Sequence, residues 1–313
     1  MTKVLITGVA GFIGSNLAQT LIDRGYEVIG IDNLSQGTLE NVPEGTQFHS
    51  LDVRDDGIAQ LFLDVDTVFH LAAKNCLPEC LAHPVETSEI NVGGTVRVLE
   101  LARRAEVRKF IYADTSAEYE GTTEFPSSVE RICPIGPYAV SKRSGALFCE
   151  SYSRMFGMNI TVLRYFNVYG PAQDWRRVIP PVMSAFILKL LRGEPPLIYG
   201  TGQKRRDFVY VDDVNHFHLL AMTDSRGDGR TFNVGSGVNY SVLEVYEMIE
   251  NILSTGIKPI YRPELPGDVD STLAHIGDSI ALGWRPKVDI NEGLQRSIDY
   301  IRRRVLPTAA SCA

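Results

Sequence analysis

The sequence is poor in cysteine and contains no long apolar run. Its 313 residues include five cysteines, and Cys76 and Cys80 have no second cysteine or histidine pair at the spacing of a zinc site. This sparse, odd-numbered set predicts reduced thiols and no metal centre. No stretch approaches the roughly 18 apolar residues of a membrane helix, and no signal peptide is visible. We therefore expect a cytoplasmic protein without a membrane partner.

Extended runs of positive charge are also missing. The net charge is −7, and the two basic clusters, at 203–206 and 302–304, are short. A nucleic-acid-binding surface usually needs a larger basic patch, so we predict no nucleic-acid partner. Hydrophobic residues make up 44% and charged residues 22% of the chain, which are ordinary values for a soluble globular protein of one or two domains.

A glycine-rich segment lies between a predicted strand at Lys3–Thr7 and a predicted helix at Ser15–Arg24. Gly8 permits a tight turn, Gly11 lets the backbone approach a pyrophosphate, and Gly14 lets the helix pack closely on the strand. The start of the helix offers free N–H groups to phosphate oxygens. The alternative is a glycine-rich turn without a ligand, but the strand–glycine–helix order favours a dinucleotide site.

The next predicted strand, Glu27–Ile31, is followed by Asp32. A carboxylate at this position accepts hydrogen bonds from both hydroxyls of the adenosine ribose, and it repels a 2′-phosphate. The sequence therefore predicts NAD rather than NADP as the cofactor.

Strand-like and helix-like segments alternate through the first half of the chain, which predicts an α/β fold with a parallel sheet and helices on both faces. Beyond Gly170, prolines interrupt the pattern and helical stretches recur, as in a smaller domain that covers the ligand crevice. Further strands are predicted at 46–50, 67–70, 109–113 and 160–164, and helices at 86–104, 137–156, 179–192, 212–222, 241–253 and 291–304, with Ser241 as an N-cap.

Tyr138 and Lys142 are four residues apart in one predicted helix, so their side chains share a face. A tyrosine has a pKa of about 10 and is a poor base at neutral pH. A lysine cation and an oxidised nicotinamide nearby would both favour the phenolate, and a drop of about three pKa units corresponds to roughly 4 kcal/mol. Such spacing also occurs by chance on surface helices, but together with the cofactor site it predicts a proton-transfer pair.

Ordered motifs along nearly the whole chain resemble one family. The chain is similar to the extended short-chain dehydrogenase/reductases, and most of all to nucleotide-sugar 4-epimerases of the UDP-galactose 4-epimerase type. The resemblance implies a Rossmann-type NAD-binding domain at residues 1–170, whose sheet residues 208–236 rejoin. Residues 171–207 and 237–313 would form a nucleotide-sugar-binding domain. The motifs are TGVAGFIG at 7–14, HLAA at 70–73, NVGGT at 91–95, YAVSK at 138–142, RYFNVYGP at 164–171, RDFV at 206–209, FNVGSG at 232–237 and LGW at 282–284.

The same resemblance implies roles for individual residues. Tyr138 and Lys142 would act in catalysis, with the Thr115 hydroxyl bridging the sugar 4-OH and Tyr138, and with Ser116 in a similar role. Cofactor-binding residues would be Gly8, Gly11, Phe12, Ile13, Gly14, Asp32, Asn33, Asp52, Val53, Leu71, Ala72, Ala73, Tyr138 and Lys142. Substrate-binding residues would be Asn75, Thr115, Ser116, Glu118, Asn167, Val178, Arg206 and Thr272.

Several positions depart from the family pattern and bear on the substrate. Related 4,6-dehydratases carry an acid pair where this chain has Ser116 and Ala117, which disfavours a dehydratase. Glu118 stands where relatives commonly have valine. It either points away from the sugar, into solvent or a salt bridge, or it contacts the sugar. Leu265 stands where relatives carry a diphosphate-binding arginine. Thr272 is small and would admit an N-acetyl group on C2 of the sugar.

The resemblance implies C4 epimerisation of a UDP-hexose through a transient 4-keto sugar, with UDP-glucose/UDP-galactose, UDP-GlcNAc/UDP-GalNAc or both as substrates. The alternatives are a dehydratase, a decarboxylase or a 4-keto reductase on the same scaffold, and more remotely a non-catalytic NAD-binding regulator. Asn167 argues against UDP-glucuronate, because uronate-using relatives often have threonine there. The resemblance also implies a homodimer, formed through the helices at 86–104 and 137–156 as a four-helix interface.

Overall fold

A computed structural model describes residues 1–177, 180–264 and 269–306. Within these residues the strands are β1 Lys3–Thr7, β2 Glu27–Asp32, β3 Thr46–Ser50, β4 Thr67–His70, β5 Lys109–Thr115, β6 Ile160–Tyr165, β7 Asn167–Tyr169, β8 Leu197–Tyr199, β9 Arg205–Tyr210, β10 Arg230–Val234, β11 Asn239–Ser241 and β12 Ile260–Arg262. The α-helices are α1 Phe12–Ile22, α2 Leu77–Ala82, α3 Pro84–Ser88, α4 Thr95–Arg104, α5 Pro137–Phe156, α6 Val182–Leu191, α7 Val211–Thr223, α8 Val242–Leu253, α9 Gly277–Leu282 and α10 Ile290–Arg304. Short 3₁₀ turns lie at Leu39–Asn41, Asp56–Phe62, Ser116–Tyr119 and Ser225–Gly227, and a π-helical segment lies at Glu89–Gly94.

Seven strands form one sheet in the order β10-β6-β5-β4-β1-β2-β3, and every neighbouring pair is parallel. The chain adds strands outward from β1 in one direction through β2 and β3, then crosses back to place β4 on the other side of β1. This reversal opens a crevice at the carboxyl ends of the strands, where open α/β sheets bind ligands. The predicted α/β class with a Rossmann-type parallel sheet is confirmed.

Alternating side chains of the strands pack against helices on both faces of the sheet. Val4 and Ile6 of β1 lie in the core cluster formed with α1 and α7, whereas Leu5 lies in the opposite cluster with α4 and α5. Each face is therefore sealed by apolar side chains, as the near-continuous hydrophobic strands of a buried parallel sheet require. Trp284 extends the first cluster by stacking on Phe217, with ring centroids 4.9 Å apart.

The later part of the chain has a third core of its own. The three-stranded β11-β9-β7 sheet and the two-stranded β12-β8 sheet pack with α6, α8 and α10. The predicted N-cap at Ser241 is confirmed, since its hydroxyl accepts from the Glu244 amide and Glu244 accepts from the Ser241 amide. β10 joins the main sheet beside β6, and the predicted division of the chain into two functional domains stays a prediction. No helix in the described part of the chain is long and apolar enough to span a membrane.

The helix expected at 86–104 is divided in the structure. It consists of α3, the π-helical segment Glu89–Gly94 and α4. The adjacent glycines Gly93 and Gly94 lower the intrinsic preference for a regular α-helix, and a Cβ at Gly94 would lie 2.8 Å from the Val53 side chain. The wider turn carries Asn91, whose side chain is fully buried. π-Segments of this kind are frequent at functional sites.

Candidate active site

A cavity of about 560 Å³ opens where the parallel strands end. It extends from the turn after β1 to the loop after β6, so side chains from several strands converge on one space. Among the sequence-predicted residues, the cavity is lined by Gly8, Gly11, Phe12, Ile13, Gly14, Asp32, Asn33, Asp52, Val53, Leu71, Ala72, Ala73, Asn75, Thr115, Tyr138, Lys142 and Asn167. The expectation that these residues share one site therefore agrees with their positions.

The glycine turn presents bare backbone to the cavity. Gly8 has φ +77°, and a Cβ there would lie 2.8 Å from the Ala72 amide nitrogen. A Cβ at Gly14 would collide with the Gly8 carbonyl oxygen, so α1 can pack this closely only without one. α1 begins after Gly11 with no side-chain cap, which leaves the first amides of the helix for an anion. This cradle suits the pyrophosphate of a dinucleotide.

Asp32 is held at the end of β2 by two backbone amides. Its carboxylate accepts from Ala10 at 3.0 Å and from Leu34 at 2.8 Å. Burial raises the pKa of Asp32, and these two hydrogen bonds act against the rise. Since each carboxylate oxygen can accept more than one hydrogen bond, the ribose hydroxyls of NAD can still be bound here. The residues present therefore fit the adenosine end of the cofactor.

Asp52 organises the adjoining wall. It accepts from Asn33 Nδ2 at 2.8 Å and from Arg54 Nε and Nη2 at 2.8 and 2.9 Å. The hydrogen bonds from Arg54 lower the pKa of Asp52 to about 2. Because Arg54 forms this bidentate pair, its charge is already engaged by a carboxylate beside the cavity.

Asn91 joins the loop after β4 to α5. Its side chain accepts from the Lys74 amide and donates to the Lys74 carbonyl, at 2.8 and 2.9 Å. It also donates to Ser141 Oγ at 2.9 Å. Through these contacts Asn91 holds the loop and α5 in place. The loop carries Asn75 into the cavity wall.

Tyr138 and Lys142 lie on one face of α5, as their spacing predicts. Tyr138 and Thr115 both line the cavity, and Thr115 Oγ1 accepts from the Ala117 amide at 3.2 Å. Lys142 is 2% exposed, and its Nζ lies 4.1 Å from the centre of the Tyr112 ring. Burial lowers the pKa of Lys142 to about 8, although Asp114 favours its charged form. Thr115, Tyr138 and Lys142 line one cavity.

The expected lowering of the Tyr138 pKa does not come from the protein's own groups. Burial raises the pKa of Tyr138, and Thr115 only partly opposes that rise. The positive charge of Lys142 lies over the Tyr112 ring rather than in a direct bond to the phenol. The phenolate therefore needs the additional positive charge that an oxidised nicotinamide supplies when it is bound.

Other expected residues lie outside the cavity wall. Ser116 follows Thr115 in a 3₁₀ turn, and it is not among the residues that line the cavity. Arg206 Nη1 donates to the Arg205 carbonyl at 2.8 Å, and Thr272 Oγ1 accepts from Asn167 Nδ2 at 3.2 Å. Thr272 thus lies behind Asn167. Val178 and Leu265 are outside the described residues.

The expectation that Glu118 binds substrate is corrected by its location. Glu118 is fully buried and pairs with Arg164, whose Nη2 lies 2.6 Å from Oε2. Its side chain does not line the cavity. The ion-pair alternative left open by the sequence is therefore the one observed, because the chain places a buried guanidinium directly beside this carboxylate.

Sequence reasoning missed a second wall of the cavity. Arg177 and Trp175 belong to the segment after Pro171, where the recognised motif ends, and Arg177 is held by Asp174 at 2.9 Å. The charge of Arg177 lowers the pKa of Tyr138, so it faces the catalytic region. The pair of adjacent arginines at 176–177 was the available signal. Further lining residues are Arg176, Met183, Phe208 and Tyr300. No group of metal-binding side chains occurs in the part of the chain that the structure describes.

Known proteins resemble this chain over almost its full length. The model of the NAD dependent epimerase/dehydratase family matches residues 4–235. The sequence is 34% identical over 303 residues to the putative UDP-glucose 4-epimerase of Methanocaldococcus jannaschii, covering 96% of this chain and 98% of that protein.

Two solved structures carry the same architecture. UDP-glucose 4-epimerase from Thermotoga maritima, crystallised with UDP-glucose, superposes with a TM-score of 0.94 at 36% identity, covering 97% of this chain and 100% of that one. UDP-N-acetylglucosamine 4-epimerase from Methanobrevibacter ruminantium, in complex with UDP-N-acetylmuramic acid, gives a TM-score of 0.92 at 31% identity, with coverage of 96% and 98%.

Proposed function

This chain belongs to the NAD dependent epimerase/dehydratase family, and from that premise we propose that it is a nucleotide-sugar 4-epimerase that uses NAD to invert C4 of a UDP-hexose. The observation that carries the proposal is that Thr115, Tyr138 and Lys142 line the same cavity as the glycine turn. These groups supply a base and its support beside a dinucleotide cradle, which is what oxidation of a secondary alcohol requires.

In this mechanism the sugar 4-OH donates its proton through Thr115 to Tyr138. Tyr138 takes up this proton as the phenolate and becomes the neutral phenol. The charge of Lys142 stabilises the phenolate before the transfer, and Lys142 remains a cation below a pH of about 8. The glycine turn and Asp32 would hold NAD+, which when bound would supply reversible hydride transfer at C4. Tyr138 then gives its proton back to the C4 oxygen, so neither the protein nor the cofactor is changed over a cycle.

Dehydratase chemistry is disfavoured by the location of the acidic side chains near Thr115. Elimination across C5 and C6 needs an acid and a base at the sugar. Ser116 and Ala117 occupy the usual positions of that pair, and Glu118 is buried against Arg164 rather than facing the cavity. Epimerisation needs no such acid–base pair at C5 and C6, because one proton leaves the C4 hydroxyl, one hydride leaves C4, and both return.

The choice between C2 hydroxyl and C2 N-acetyl sugars is a finer proposal. We expect both UDP-galactose and UDP-N-acetylgalactosamine to be converted, because Thr272 and Asn167 are small polar side chains joined by a hydrogen bond. Because Thr272 lies behind Asn167 and not in the cavity wall, position 272 places no bulky aromatic side chain in the cavity. Arg177 supports the binding of a negatively charged substrate, since it places a cation in the cavity wall.

Product analysis tests the proposed activity. The protein with trace NAD+ is incubated separately with UDP-galactose, UDP-N-acetylgalactosamine and UDP-glucuronate, and the products are identified by NMR. The C4 epimer should form with no net change in NADH absorbance. A 4-keto or decarboxylated product would instead assign the protein to another activity of the same scaffold.

Removal of the phenol hydroxyl tests the assigned base. Tyr138→Phe should lower turnover by about 10²–10⁴-fold, since general-base catalysis contributes that much. NAD binding should stay close to that of the wild type, because the ring still fills its place in α5. A Tyr138→Phe variant with most of its turnover intact would refute this role. Phe125→Leu, an exposed aromatic change outside the cavity, serves as the control.

The homodimer is also a proposal, supported by exposed apolar side chains on the helices at one face of the protein. Phe148 and Met155 of α5 are 40% and 74% exposed. Leu81 and Val85, in α2 and α3, are each 70% exposed. Light scattering should give the mass of a dimer, and Phe148→Glu should give a monomer. Leu63→Glu, at an exposed leucine elsewhere, should leave the dimer intact.

We also propose a cytoplasmic location, which cell fractionation would test.

A further inference from the structure

A buried charged cluster lies directly behind Thr115. Arg164 of β6 is 1% exposed, and its three guanidinium nitrogens all reach polar groups. Nε lies 2.9 Å from Asp114 Oδ2, Nη2 lies 2.6 Å from Glu118 Oε2, and Nη1 donates to the Tyr119 hydroxyl at 2.8 Å. Asp114 and Glu118 are 3% and 0% exposed. Two carboxylates and one guanidinium thus share a space from which water is excluded.

The two carboxyl groups are incompletely satisfied as anions. Asp114 Oδ1 and Glu118 Oε1 are buried, and neither has a hydrogen-bond donor. If both groups were ionised, the cluster would carry one net negative charge in a low-dielectric interior, which is costly. Both carboxyl groups bond the single guanidinium of Arg164, which holds them beside each other. One retained proton would therefore supply the missing donor and remove the net charge.

We propose that Glu118 retains its proton and shares it with Asp114 by donating a hydrogen bond, and that the resulting neutral cluster with Arg164 acts as a positioning unit for Thr115 in the proposed epimerase reaction. Asp114 precedes Thr115 on β5, and Glu118 and Tyr119 belong to the 3₁₀ turn that Thr115 caps through the Ala117 amide. The cluster therefore holds the chain on both sides of the catalytic hydroxyl.

The neutral state also matters for Tyr138. The charge of Asp114 already raises the pKa of Tyr138, and a second uncompensated negative charge behind Thr115 would raise it further.

Burial and the charge of Asp114 raise the pKa of Glu118, whereas Arg164 and Arg143 oppose the rise. The charged or titratable groups around Glu118 are Asp114 on β5, Tyr119 in the same turn, Arg164 on β6, and Lys142 and Arg143 on α5.

The linkage between proton binding and stability gives a test that needs no activity. A glutamate that keeps its proton in the folded protein, but loses it on unfolding, makes the folded state less stable as pH rises through the window between its unfolded and folded pKa values. Denaturant unfolding of the wild type and of Glu118→Gln is therefore compared between about pH 5 and pH 8. The substituted glutamine imitates the protonated acid, since its amide can donate to Asp114 while its oxygen accepts from Arg164.

The wild-type unfolding equilibrium constant should rise about tenfold per pH unit relative to that of Glu118→Gln. The control Glu247→Gln, at an exposed position in α8, should run parallel to the wild type. Equal pH dependences of the wild type and Glu118→Gln would overturn the shared proton. Infrared spectroscopy is the second readout. The carbonyl band of a protonated carboxylic acid should be present in the wild type at pH 7 and absent in Glu118→Gln. A wild-type spectrum without this band would also overturn the proposal.

Kinetics separates positioning from general stability. Glu118→Gln should keep its turnover within about threefold of the wild type at pH 7, with an unchanged acid limb in the pH profile. Glu118→Val leaves Arg164 Nη2 without its partner and should lower turnover at least about tenfold, with unaltered NAD affinity. An acid limb shifted by one pH unit or more in Glu118→Gln would overturn the neutral cluster. If no epimerase activity exists, the unfolding and infrared results still decide the protonation of Glu118.

Discussion

Replacing Gly14 with alanine should damage both the fold and the cofactor site, because the space for one methyl group is missing at this position. An added Cβ would collide with the Gly8 carbonyl oxygen and would lie 2.9 Å from the Gly8 carbonyl carbon and from Val9 Cα. All three neighbours are backbone atoms, which no side-chain rotation can move. Overpacking of this kind costs about 1–3 kcal/mol. Native domains are stable by about 5–15 kcal/mol, so the variant should still fold.

The strain should appear mainly as a displaced turn, since α1 must move away from β1 to make room. If the whole cost falls on the bound state, a loss of 1–3 kcal/mol corresponds to about 5–150-fold weaker NAD binding. Calorimetric titration with NAD+ and urea unfolding followed by circular dichroism measure the two effects separately. Gly11→Ala, whose Cβ would lie 3.2 Å from the Gly8 carbonyl oxygen, should weaken NAD binding with a smaller loss of stability.

Gly93→Ala is the matched control, because no other part of the chain lies within 4 Å of a Cβ at that position. It should bind NAD as the wild type does, and its stability should equal or slightly exceed that of the wild type, since alanine favours helix over glycine by up to about 1 kcal/mol. A Gly14→Ala protein that binds NAD+ and unfolds as the wild type does would refute the reasoning that close helix–strand packing builds the cofactor cradle.

Further substitutions test the catalytic and structural assignments. Lys142→Met should raise resistance to urea at pH 7 and abolish most turnover. The stability rises because burial lowers the pKa of Lys142 to about 8, so the folded wild type carries a penalised cation at neutral pH. This gain in stability over the wild type should shrink as pH rises from about 8 towards the pKa of the unfolded lysine, since the folded lysine is already neutral there. A loss of stability would show that the contact with the Tyr112 ring outweighs burial. Ser241→Ala removes the capping box with Glu244 and should cost about 1 kcal/mol in urea unfolding, without change in NAD affinity. Arg177→Ala should move the acid limb of the turnover profile to higher pH, since the charge of Arg177 lowers the pKa of Tyr138; an unchanged limb would place this charge outside the reaction.

Local sequence patterns anticipated most of the main sheet. β3 and β4 have the predicted bounds, and β5 and β6 extend beyond their own predicted ends by two residues and one residue. β4, β5 and β6 are almost wholly buried, so short and mainly apolar runs mark them in the sequence, whereas β3 is a partly exposed edge strand. The division of the helix at 86–104 was not anticipated, since it depends on the packing of Gly94 against Val53, which is distant in sequence.

The site was anticipated where backbone conformation or helical spacing determines function. Gly8, Gly14 and the Tyr138–Lys142 pair belong to this class. The location of Glu118 was not, because burial against Arg164 is a tertiary property that no spacing along the chain encodes. The raised pKa of Tyr138 was missed for the same reason, since the dominant effect is loss of solvent around the phenol.

The position of β10 has a consequence for how the chain folds during synthesis. β10 is the outermost strand beside β6, yet 64 residues separate Tyr165 from Arg230. At about 5–20 residues per second, the ribosome needs roughly 3–13 s to make that stretch. Throughout this interval the N–H and C=O groups along the free edge of β6 have no partner strand, and such an edge can pair with another nascent chain. The yield of folded protein should therefore fall when synthesis is crowded or pauses between these two strands.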